Sequence, residues 1–330
     1  MNKIKNILLV GYGSIGKRHL NNIKKILPDA KLIILRSEKK TKLIDGCEIV
    51  STIKVALDYQ PDAALICNPS SFHLDVALEL AKAGIHLFIE KPLSNKLKEI
   101  KKFEDIVRRN KIKVMVGYNL RFTPSLIKFK SMLFDGSYGK ALFISAEVGQ
   151  YLPDWRPNVD YKSSVSANAN LGGGALLELS HELDYLSWLF GEVEYVSGKI
   201  YKVSDLEIDV DDLVFAHIGL NHNNRRIPCS IRMDFLQHNP IRFCKVVFEK
   251  ATLKWDAIKD RVIVISKDKE KIDFQGDMSI NFTYENEIRH FVDSIEKDMP
   301  IPITLENGIG VLKIIEAIKV SSKTEMIVYL

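Results

Sequence analysis

Gly11-Tyr12-Gly13-Ser14-Ile15-Gly16 reads G-x-G-x-x-G between an apolar run and an amphipathic one. That spacing suits a dinucleotide pyrophosphate. The first glycine permits a tight turn, the second lets phosphates approach the main chain, and the third lets helix and strand pack closely. A helix N-terminus just past the turn attracts the anion. The next strand-like run ends at Leu35-Arg36-Ser37, about 25 residues past Gly11 and with no acid at its tip. An NAD site usually carries Asp or Glu there to accept from the ribose 2′-hydroxyl. Arg36 can pair with a 2′-phosphate and Ser37 can donate to it, which points to NADP(H) over NAD(H). Glu38 stands one residue on, so a small shift of the strand end brings a carboxylate to the ribose.

Two further clusters, Asn68-Pro69-Ser70-Ser71-Phe72-His73 and Glu90-Lys91-Pro92, each follow an apolar run. Open α/β sheets bind ligands outside the carboxyl ends of their strands, which places Asn68 and Pro69 beside a nicotinamide. His73 either joins them or caps the helix that follows. A lysine at the end of a buried strand, held by a neighbouring proline, serves more than solubility. Glu178 and His181 stand three residues apart, a spacing that puts both on one face of a helix. Leu176, Leu179, Leu183, Leu186 and Phe190 form an apolar stripe on another face, which anchors that helix.

These residues need a frame. Strands are expected over residues 4–10, 31–35, 63–67, 85–89 and 112–116, with helices over 14–26, 74–83 and 96–109. The alternation predicts an α/β domain over residues 1–120, a Rossmann doubly wound parallel sheet. After residue 122 the pattern changes: a helix over 125–134, a strand over 141–148, a polar stretch over 151–170, and a glycine-led helix from 172 to about 190. Strand-like runs at 213–220, 227–235 and 243–248 precede two helices, 284–297 and 308–321. Residues 121–330 therefore read as an α+β domain with a large, mostly antiparallel, open-faced sheet. Apolar runs such as 213–220 are costly to leave wet, so a homodimer or homotetramer through that sheet is expected. In the polar stretch, Trp155 and Tyr161 offer aromatic faces for stacking, while Arg156 and Lys162 can bond hydroxyls or a phosphate.

The 330 residues, 46% hydrophobic, fit two domains at about 150 residues each. Forty-seven Lys and Arg against 42 Asp and Glu leave a charge of +5, spread along helices and not gathered into runs. That excludes a nucleic-acid partner and suits an anionic cofactor or phosphorylated substrate. Cys47, Cys67, Cys229 and Cys244 form no CxxC pair, which argues against zinc, any other metal site or a disulfide framework. No stretch approaches the roughly 18 apolar residues of a membrane span, and the first apolar run is too brief for a signal peptide. A soluble, cytoplasmic protein is expected.

Glu90-Lys91-Pro92, coming after the glycine turn, resembles a hallmark of the Gfo/Idh/MocA superfamily of nicotinamide-dependent sugar and polyol oxidoreductases, and the likeness extends over essentially the whole chain. Gly117-Tyr118-Asn119-Leu120-Arg121-Phe122 resembles the family's hinge into its second domain. Gly172-Gly173-Gly174 leading to His181-Glu182-Leu183-Asp184 is similar to its glycine-led catalytic helix, and Glu287-Ile288-Arg289-His290-Phe291 also fits its pattern. The resemblance implies an NAD(P)-dependent enzyme acting on a secondary alcohol or ketone of a sugar, sugar phosphate or nucleotide-linked sugar. In that frame Lys91 touches the reacting oxygen and the nicotinamide ribose, and His181 is the base or acid. Glu90, Asn119 and Arg121 lie near the cofactor, Tyr118 and Asp184 face the substrate, and the bond before Pro92 is a candidate for the cis form. The family's usual acid stands four residues before the histidine; Leu177 occupies that position, and Glu178 is the nearest acid. The polar stretch resembles a branch tied to bacterial surface-sugar biosynthesis. A catalytically silent dinucleotide binder, or a lyase or hydrolase that recycles its bound cofactor, remains open at this level.

Overall fold

The computed structural model describes residues 3–36, 43–156, 158–267, 269–276 and 279–330. It divides into two compact units, residues 1–119 with 280–312 and residues 120–279 with 313–330.

In the first unit β1 (Asn6–Val10), β2 (Lys31–Leu35), β3 (Cys47–Val50), β4 (Ala63–Ile66), β5 (His86–Glu90) and β6 (Val114–Gly117) pair in parallel, in the order β3-β2-β1-β4-β5-β6. The helices α1 (Ser14–Ile26), α2 (Ile53–Leu57), α3 (His73–Lys82) and α4 (Ile100–Asn110) connect them. Every residue of β4 is buried, as expected where a parallel strand is covered on both faces. Neither β3 nor α2 was anticipated. β3 is an edge strand of four residues with Glu48 exposed, and α2 has only five, so neither carries a readable period. α4 starts at Ile100, four residues later than its sequence suggests, because Glu99 adopts the left-handed conformation at φ 67°.

The second unit holds α5 (Pro124–Leu133), β7 (Ala141–Gly149), α6 (Ala175–Glu178), α7 (His181–Phe190), β8 (Glu192–Tyr201), β9 (Leu213–His222), β10 (Arg225–Asp234), β11 (Ile241–Phe248), β12 (Thr252–Asp256), β13 (Arg261–Ser266) and β14 (Lys269–Gln275). With β15 (Val328–Tyr329) its strands form one nine-stranded sheet, β14-β13-β12-β11-β7-β10-β9-β8-β15, antiparallel except where β7 meets β10. Asn223 and Asn224 turn β9 into β10 with φ 51° and 62°. Two consecutive left-handed residues give a two-residue turn whose twist matches the strands. One sheet face is dry: Val214, Ala216, Ile218, Ile231, Met233, Cys244 and Val246 are each at most 3% exposed. There the buried Trp255 donates to Ser125 Oγ on α5 at 2.8 Å. Elsewhere in the sheet, Phe143, Phe215 and Tyr201 remain 42–44% exposed.

The chain then returns to the first unit through α8 (Ile280–Glu296), which buries Ile288, Phe291 and Val292. The Phe291 ring meets Phe88 of β5 edge-on at 5.8 Å. α9 (Leu305–Thr324) opens with a reciprocal cap, in which Thr304 N–H donates to Asn307 Oδ1 and Asn307 N–H to Thr304 Oγ1. Among the described residues no helix is long and apolar enough to cross a membrane.

Candidate active site

The first unit supplies a phosphate cradle. Gly11 leaves β1 at φ 90°, with its N–H on the Leu35 carbonyl. A Cβ on Gly16 would stand 2.3 Å from the Gly11 carbonyl oxygen, so only glycine lets α1 come this close. A Cβ on Gly13 would meet nothing within 4 Å, and Gly13 caps α1 without any side-chain hydrogen bond. The space beside Gly13, at the start of α1, is therefore open, and no acidic side chain lies in the first turn. This fits a bound pyrophosphate. Arg36 follows β2, its guanidinium 5.7 Å from the Tyr12 ring, and Lys17 approaches that ring to 5.5 Å. Ser37 and Glu38 lie outside the described residues.

At the ends of β4 and β5, Asn68 and Glu90-Lys91-Pro92 come from adjacent strands, and the Lys91–Pro92 bond is cis. His73 ties the two segments together. Its Nε2 lies 2.7 Å from the Asn68 carbonyl and its Nδ1 2.9 Å from that of Pro92. Burial holds the ring's pKa below that of an ordinary imidazole, against the pull of those two carbonyls. His73 heads α3 without capping it. Asn119 donates its amide to Thr283 Oγ1 at 2.7 Å, both side chains being buried, and Tyr118 is fully buried.

In the second unit the glycine run is sterically required. A Cβ on Gly173 would stand 2.4 Å from the Val165 carbonyl oxygen, and Gly174 has φ 105°. Asp211 then accepts from Leu176 N–H at the start of α6. The expected continuous helix is interrupted: α6 closes at Glu178, Leu179 turns out at φ −98°, ψ 21°, and α7 begins at His181. One continuous helix therefore does not carry both Glu178 and His181. Glu178 accepts from Ser166 Oγ at 3.1 Å, and His181 opens α7 at 8% exposure. The leucine stripe still anchors both helices, since Leu176, Leu179, Leu183, Leu186 and Phe190 are all buried.

Arg121 and Asp184 meet. Arg121 Nε donates to Asp184 Oδ2 at 2.9 Å and its terminal nitrogen to Oδ1 at 2.6 Å, a buried two-point pair. Burial raises the Asp184 pKa, and the guanidinium pulls it back. In the 151–170 stretch, Trp155, Arg156, Tyr161 and Ser166 line one concavity. Trp155 Nε1 donates to the Gln150 carbonyl, Tyr161 Oη accepts from Glu207 N–H, and Lys162 pairs with Glu207; Arg156 is exposed. Ser166, Asp211 and Thr283, which hold these residues, left no signal in the sequence. His19 did leave one, as a histidine one turn past Gly16 on the buried face of α1.

Residues 5–118 match the model of the oxidoreductase family with an NAD-binding Rossmann fold, and residues 145–330 match its C-terminal alpha/beta domain. The chain belongs to the Gfo/Idh/MocA family. Among relatives of this Gfo/Idh/MocA protein, the myo-inositol 2-dehydrogenase of Thermotoga maritima is 24% identical over 91% of each chain. The NADP(+) scyllo-inositol 2-dehydrogenase of Bacillus subtilis is 21% identical over 98% of this chain and 95% of its own. The WlbA dehydrogenase of Bordetella pertussis, solved with NADH and UDP-GlcNAcA, shares the fold at TM-score 0.83 and 22% identity, covering 100% of this chain and 99% of its own.

Removing Arg121 leaves Asp184 as an uncompensated buried charge, so Arg121→Met should destabilise the second unit by about 3–5 kcal/mol. Urea unfolding followed by tryptophan fluorescence reads this directly, because all three tryptophans, Trp155, Trp188 and Trp255, lie in that unit. The double variant R121M/D184L should recover most of the loss. A midpoint equal to the wild type's in R121M contradicts the pairing.

Proposed function

We propose that this chain is an NAD(P)-dependent oxidoreductase that moves a hydride between nicotinamide and a secondary alcohol, or the matching ketone, of a sugar, sugar phosphate or nucleotide-linked sugar. The observation that carries the reading is the pairing of the glycine cradle at the N-terminus of α1 with Lys91 at the end of β5, in a six-stranded parallel sheet. Relatives that act on inositols, and a fold neighbour solved with a nucleotide sugar, support the substrate class.

Bound nicotinamide supplies the hydride acceptor. Lys91 polarises the substrate oxygen, and His181 takes the hydroxyl proton in oxidation and returns it in reduction. Glu178, held by Ser166, stands in for the acid that the family places four residues before the histidine. Asn68, Pro69 and Glu90 border the nicotinamide side, and Trp155, Arg156 and Tyr161 take the sugar. Arg36 favours NADP(H), since a guanidinium at the tip of β2 complements a 2′-phosphate. We place the enzyme in the cytoplasm; its cysteines are free, three of them buried. Phe143, Phe215 and Tyr201, exposed on the second unit's sheet, support a homodimer or homotetramer through that sheet.

The experiment is a screen at the reduced-nicotinamide absorbance band, with NAD+ and NADP+ against inositols, sugars, sugar phosphates and nucleotide sugars. Turnover with at least one of them is expected, with NADPH binding tighter than NADH. Tenfold tighter NADH sinks the cofactor assignment, and silence across the panel sinks the enzyme. Lys91→Met and His181→Ala should each lower turnover by roughly 10²- to 10⁴-fold with cofactor still bound. Sedimentation at micromolar concentration should show no monomer; a monomer overturns the oligomer.

A further inference from the structure

We propose that His19 is a positioning residue for Lys91 and acts through Glu90. The proposal rests on the reading of Lys91 as the group that polarises the substrate oxygen. His19 lies on α1 with no solvent exposure, and its Nε2 stands 2.6 Å from Glu90 Oε1. The other carboxylate oxygen, Glu90 Oε2, accepts the Lys91 N–H at 3.1 Å. One buried carboxylate thus joins the phosphate-binding helix to the main chain of the lysine. With both donors in place the Glu90 carboxylate has a single orientation. Without His19, Oε1 is left in a core of aromatic rings, since Phe88 stands 5.2 Å and Tyr284 6.0 Å from the His19 ring.

Glu287 completes the cluster from α8. It is fully buried, its Oε1 lies 3.9 Å from His19 Nε2, and among the described residues neither of its oxygens has a hydrogen-bond partner. Burial first, and then the charge of Glu90, push its carboxyl well above the usual range, with Arg18 opposing them. Cys67 also faces the cluster, its thiol pushed up by burial and by both glutamates. The three side chains are close enough to ligate a cation. The 2.6 Å contact argues for a shared hydrogen instead, because two ligands about 2.1 Å from one tetrahedral ion stand about 3.4 Å apart. Misplacing a reacting group by about 1 Å can cost about 10²-fold in rate, so the orientation of the Lys91 main chain matters to turnover.

His19→Leu removes the donor, and His19→Gln restores an N–H at nearly the same place. Amide exchange of the full-length protein, read by mass spectrometry, should show the Lys91 amide exchanging at least tenfold faster in H19L, with β1 and β4 unchanged, and within threefold of wild type in H19Q. With the best substrate of the panel, H19L should lower kcat about 10- to 100-fold, leave the NADPH dissociation constant within threefold, and add no loss in a K91M background. Should H19L fail to fold, Glu90→Gln carries the test, because its amide can no longer accept from both donors. Lys91 exchange within threefold of wild type in H19L, or in E90Q where that variant is used, overturns the proposal. Wild-type turnover in K91M overturns the reading of Lys91 instead, whatever the exchange shows.

Discussion

The approach of α1 to the end of β1 sets the geometry on which the cofactor half of the protein depends. Gly16 lies so near the Gly11 carbonyl that a single added carbon would stand 2.3 Å from it. Two consequences follow from that one contact. The N-terminus of α1 faces the space that Gly13 leaves open, where aligned N–H groups and the helix dipole attract an anion. One turn further on, the same closeness brings His19 within 2.6 Å of Glu90 on β5. A single helix therefore holds both the phosphate cradle and the strand end that carries Lys91.

Two buried acids of the second unit are each held by an arginine from elsewhere in the chain. Asp184 on α7 meets Arg121 at two points, and Glu182, the second residue of the same helix, has Arg242 of β11 at 3.0 Å. Both acids sit in the first turn of α7, where the helix dipole also favours them. The helix that opens at His181 is thus pinned by two arginines and by a row of buried leucines. Such pinning limits how far the His181 imidazole can move, as the proposed proton transfer requires.

How much of this is legible in the sequence depends on whether a feature leaves a local pattern. The glycine turn, the continuous apolar runs of β1 and β4, and the alternation in β9 and β10 are local, and they read directly. Residues 280–312 are helical by pattern, but nothing in a helix says which sheet it will cover; the contact of Phe291 with Phe88 decides that. The break at Leu179 lies inside an unbroken leucine period, so the stripe conceals it. Arg121 and Asp184 stand 63 residues apart, and single residues read as cofactor and substrate contacts become partners of each other once folded. Asn119 and His73 also hold the protein's own loops and helices. The pattern marked these positions as special without showing what each one touches.

The most direct test of the cofactor site is the substitution Gly13→Val, because a Cβ there meets no protein atom within 4 Å and the added side chain competes for the open space beside the N-terminus of α1. Titration of wild type and variant with NADPH and with NADH, followed by nicotinamide fluorescence, measures it. The expected result is at least tenfold weaker binding of both cofactors with an unchanged thermal midpoint. Equal affinity in wild type and G13V contradicts the account, since the pyrophosphate then does not sit on this helix.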